Sequence, residues 1–87
     1  MNPQLTQLIE QAIAQVEPMA AQGWAVAETI LRQLKWCLSF SRGEETEPAP
    51  GPFSMGLIAT RELDMYGDQP DLASMINRIQ QEVERAV

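Results

Sequence analysis

At 87 residues, 45% of them hydrophobic and 6% aromatic, the chain is long enough for one small core and too apolar to stay wholly unfolded. Its formal charge of −6, from 12 acidic and 6 basic residues, opposes general nucleic-acid binding, where Lys and Arg must neutralise phosphates. One Cys and no His exclude an internal disulfide framework, imidazole acid-base chemistry, zinc sites and Ser-His or Cys-His nucleophiles within one chain.

The opening stretch MNPQLTQLIEQ has neither the basic region nor the continuous apolar run of a secretion signal, and no segment approaches the ~20 apolar residues of a membrane span. A cytoplasmic protein without membrane attachment is expected. In chain order, Asn2 and Pro3 make a helix start, because Asn caps free backbone N–H groups and Pro at the first position has none to leave unpaired. Leu5, Leu8, Ile9, Ala12, Ile13 and Val16 then recur at helical spacing, opposite Gln4, Gln7, Gln11 and Gln15. Pro18 cannot donate to Ala14 and disfavours helical geometry at Glu17, so a break or kink there is favoured, with the first helix over 3–16. Were the helix to continue past Pro18, Gly23 would supply its stop.

A second helix, 18–40, places Trp24, Ala27, Ile30, Leu31, Leu34, Cys37 and Leu38 on one face, with Glu28, Arg32, Gln33 and Lys35 largely off it. Residues 42–53 carry alternate prolines at Pro48, Pro50 and Pro52, two glycines and an acidic cluster. They read as a flexible Pro/Glu-rich connection inside a single helical domain, 1–87. Ser54 is placed to cap a third helix, 54–66, with Met55, Ile58, Ala59, Leu63 and Tyr66 on one face and Gly67 as its stop, although Gly56 and Thr60 weaken it. Asp68 or Gln69, then Pro70, opens a fourth over 69–86. Its Leu72, Ile76, Ile79, Val83 and Ala86 are spaced four, three, four and three, the seam of a bundle, and Arg78 is placed to pair with Glu82 on its flank. The expected fold is all-α, a small antiparallel helical bundle of about four helices.

The stretch LKWCLSF, residues 34–40, tests that expectation. At about 100° per residue, Trp36 falls opposite the middle of the stripe built from Ala27, Leu31, Leu34 and Leu38. Three arrangements accommodate the indole. The Pro-rich connection or the third helix folds over it; residues 35–41 instead form a hairpin with 53–60 in an α+β fold; or Trp36 and Phe40 form a docking patch. Cys37, on the core face, is expected to act as a small buried hydrophobe. Arg32, Lys35 and Arg42 make the only local basic excess. They complement the C-terminal end of the second helix and Glu44, Glu45 and Glu47, and they offer an acidic partner its best landing site.

RELDMYGDQPDL, residues 61–72, gathers Glu62, Asp64, Asp68 and Asp71, but without the alternating ligand order, central Gly and terminal Glu of a calcium loop. No metal or cofactor is expected. With no phosphate-binding glycine loop and no nucleophile elbow, the chain is not expected to be an enzyme. It reads as a non-catalytic protein-protein interaction module, self-associating (a dimer above all) or serving as an accessory or regulatory subunit, with Trp36, Phe40, Arg32 and Lys35 at the partner surface. The alternative is a bundle that holds a small apolar ligand between its helices.

Overall fold

The computed structural model describes residues 3–44, 53–65 and 69–86. These form four helices: α1 (Pro3–Ala21), α2 (Ala25–Ser41), α3 (Met55–Ala59), which widens into π-helical turns over Thr60–Met65, and α4 (Pro70–Ala86). The all-α expectation holds. Residues 35–41 are helical and α3 occupies 55–59, which rules out the extended hairpin.

Two boundaries move and one cap differs. First, α1 runs unbroken through Pro18, so the favoured end at 16 is wrong. Only the last turn lies beyond Pro18, so one backbone bond, to Ala14, is lost. Buried Val16 and half-buried Met19 and Ala20 hold that turn on the core. The stop is Gly23, at a φ of 89°, whose N–H donates to the Ala20 carbonyl at 2.9 Å. Second, α2 therefore starts at Ala25 rather than 18. Trp24 becomes the residue before its first turn, with its carbonyl accepting from the Glu28 N–H at 3.1 Å; the residue is 39% exposed instead of joining the apolar face.

Third, Ser54 sits at the N-cap position of α3, yet its side chain makes no capping bond. That role passes to another helix, as described below. At the other end of α2, Gly43 takes a φ of 75° and donates to Phe40, while the Glu44 N–H donates to Ser39 at 2.9 Å. This pair of bonds is a Schellman stop, which the apolar periodicity does not announce. Gln69 opens α4, its carbonyl accepting from the Ala73 N–H at 3.1 Å. The Asn2 cap, Tyr66, the Gly67 stop, the alternative cap Asp68 and most of the Pro-rich connection (45–52) lie outside the described residues.

One apolar cluster joins all four helices: Leu5, Ile9, Ala12 and Val16 from α1, Ala27, Ile30, Leu34 and Cys37 from α2, Met55 and Ala59 from α3 with Leu63 beyond it, and Leu72, Ala73, Ile76, Ile79 and Val83 from α4. The helical periodicities of the sequence are the reason. Each stripe has one direction in which to bury, and four stripes close around a common centre. α1 and α2 are antiparallel, since Thr6 near the start of one lies 2.8 Å, hydroxyl to hydroxyl, from buried Ser41 at the end of the other. The radius of gyration is 12.0 Å, matching the ~12 Å of a compactly folded chain of this length. No helix among the described residues is long and apolar enough to cross a membrane.

Two ion pairs differ from expectation. Arg42 reaches across to Glu10 of α1 at 2.9 Å, and so ties the end of α2 to the middle of α1 rather than serving only its own helix end. Glu82 pairs with Arg85 at 3.5 Å instead of with Arg78. Both Glu82 and Arg78 line a surface depression with Gln4, Leu5 and Leu8 of α1, so their environment is set by the neighbouring helix and not by the i,i+4 spacing alone.

Candidate interaction surface

The outward side of α2 carries all four residues that the sequence nominates. Trp36 and Phe40 project towards the start of α3, where their rings stack with centroids 5.3 Å apart and an interplanar angle of 16°. Phe53 closes the cluster, tilted by 51° with its centroid 5.6 Å from Trp36. All three are half-buried and packed against the core. The indole is thus covered on one side by the last residue of the Pro-rich connection. The sequence placed Phe53 only within the Pro-rich connection and the alternative hairpin, not as the residue that covers the indole; an aromatic between Pro52 and a helix start is the signal that marks it.

Arg32 and Lys35 are exposed on the other flank, in a groove between the last turns of α1 and the first half of α2. This groove has a volume of about 460 Å³ and opens widely to solvent. Ala20, Ala21 and Leu31 supply its apolar surface; Glu17, Glu28, Arg32 and Lys35 supply its charge. Among the described residues the ion pairs are Arg42–Glu10 and Arg85–Glu82, so none of the four groove charges is matched by another described residue. Glu17 and Glu28 are the members that the sequence hides. They lie on different helices, and only the antiparallel packing of α1 on α2 brings them to one groove.

A second polar constellation clamps α3. The Gln33 side-chain carbonyl accepts from the backbone N–H groups of Ser54 and Met55, at 3.0 and 2.9 Å, and its amide donates to the Ser54 hydroxyl at 3.0 Å. The Gln80 carbonyl takes the next N–H, from Gly56, at 2.8 Å. Free amides at a helix start are normally met by the N-cap side chain. Here α2 and α4 meet them. Asn77 adds a bond to the Thr60 hydroxyl at 2.9 Å, and that hydroxyl donates to the Gly56 carbonyl at 3.0 Å, where the helix begins to widen. Gly56 fits closely here: a Cβ would stand 2.6 Å from Asn77 Oδ1 and 2.9 Å from Gln80 Oε1, so both side chains would have to shift to admit one.

Cys37, the chain's single thiol, is fully buried, and burial pushes its pKa up to about 12 from 9.0, which opposes a nucleophilic thiolate. Of the acidic stretch 61–72, Asp68 and the side chain of Asp64 lie outside the described residues, and among the described residues no three Cys, Asp or Glu side chains converge on a metal position. The chain matches no protein-family model, no curated protein and no solved structure.

Proposed function

We propose that the protein is a non-catalytic interaction module whose partner surface is the outward side of α2, acting by self-association or as an accessory subunit. The observation that carries this reading is the groove: four exposed charges, unmatched within the described chain, surround an apolar floor. The Trp36–Phe40 stack lies on the adjoining flank of the same helix. Exposed Trp24, in the turn that joins the groove's two walls, adds a large apolar side chain of the type enriched at binding hot spots. An open groove leaves much of a small molecule in water, so it favours a macromolecular partner over a small apolar ligand. The lone, unbridged Cys37 suits a reducing, cytoplasmic setting.

Sedimentation of the purified protein, together with copurification from the native host, tests the reading. A concentration-dependent rise in mass or a stoichiometric protein partner is expected. A strict monomer that recovers no protein, but shows a bound small molecule in native mass spectra, would transfer the assignment to the ligand-binding alternative.

A further inference from the structure

We infer that the occupant of the α1–α2 groove is a second copy of the same chain, docked about a two-fold axis with Glu17 and Glu28 of each copy against Arg32 and Lys35 of the other. This inference rests on the interaction-module reading and names its partner. A two-fold contact uses one patch twice, so the patch must complement itself. The groove does so in charge, with two acids and two bases around Ala20, Ala21 and Leu31. Its charges sum to zero in a chain whose total is −6.

Other occupants fit less well. An acidic surface that approaches Arg32 and Lys35 also meets Glu17 and Glu28, and a basic surface meets the opposite conflict. Two copies of a −6 chain repel at most orientations, whereas here each acid has a base to face. The four side chains are also free of competing ion pairs among the described residues, so docking breaks no salt bridge among those residues.

The test is a charge-reversal cross. Arg32→Glu with Lys35→Glu makes every groove charge negative; Glu17→Lys with Glu28→Lys makes every one positive. Each double variant alone should raise the dimer dissociation constant about 100-fold or more, because like charges then oppose each other twice. All four positions are exposed, so circular dichroism should show unchanged helix content in both. An equimolar mixture of the two variants should recover a dimer, identified by native mass spectrometry as one chain of each kind. Two outcomes overturn the inference alone: undiminished self-association of both variants, which places the contact on another face, and folded monomeric variants that do not pair when mixed. A wild-type chain that is monomeric to about 1 mM also overturns it. In that case a stoichiometric partner from the native host would leave the broader interaction reading standing, and its absence would remove both.

Discussion

Leu34 and Trp36 are two residues apart, and their surroundings make opposite demands. Leu34 is fully buried at the centre of the α2 stripe, so Leu34→Ala should cost roughly 2–5 kcal/mol through lost burial and a cavity. Trp36 is half-buried and loses two ring contacts on truncation, so Trp36→Ala should cost less, about 1–2 kcal/mol, with helix content retained. Urea unfolding of both variants at one protein concentration checks the order; an equal or larger loss for Trp36→Ala would make the indole core. Between them, Cys37 gives stability a pH dependence. Its folded pKa of about 12 exceeds 9.0, so the folded state keeps a proton that the unfolded state releases. The contribution is intact below pH 9 and is lost as pH rises from 9 towards 12, at up to about 1.4 kcal/mol per pH unit. Cys37→Ala should remove that part of the alkaline slope, and alkylation of the native thiol should proceed only through unfolding.

α3 shows how a weak element is held by its neighbours. It has five α-helical residues, a Gly inside its first turn and a hydroxyl-bonded Thr60 at its end, and a helix this short is marginal alone. Its first amides are met by Gln33 and Gln80. Gln33→Ala strands two amide donors and should cost about 1–3 kcal/mol, with hydrogen exchange accelerated at Met55 ahead of α1 and α2. Gly56→Ala makes the complementary case. Ala is the better helix former by about 1 kcal/mol, yet its Cβ would displace Asn77 and Gln80, so the substitution should destabilise by about 1–2 kcal/mol. A rise in melting temperature for Gly56→Ala would show that the clamp relaxes freely. The opposite balance holds in α1, where packing of the last turn tolerates Pro18.

At the scale of the molecule, one cluster of buried side chains receives contributions from every helix, so no helix can leave without opening the core shared by the others. Unfolding should therefore be one cooperative transition. Far-ultraviolet dichroism and tryptophan fluorescence should give coincident midpoints, and the calorimetric and van't Hoff enthalpies should agree near about 60 kcal/mol. Separate transitions for α1–α2 and α3–α4 would divide the chain into two units. Dimerisation through the groove would add a concentration dependence to the midpoint without splitting the transition.

Apolar spacing by itself determined the helical class, the four stripes and nearly every buried residue of the described core, because a 3.6-residue period leaves a stripe one direction in which to bury. Local rules failed where a neighbouring helix supplied the deciding energy. Pro18 reads as a break until the last turn of α1 is packed, and Ser54 reads as a cap until Gln33 arrives from α2. Trp36 reads as stranded on a polar face until Phe53 covers it. Arg32 and Lys35 were legible as exposed base, but Glu17 and Glu28 joined them only through the antiparallel packing of α1 against α2. Spacing within one helix states which side chains share a face. Which faces meet, and which charges then stand across a groove from one another, depends on contacts between residues far apart in the chain, and no periodicity within a single helix encodes them.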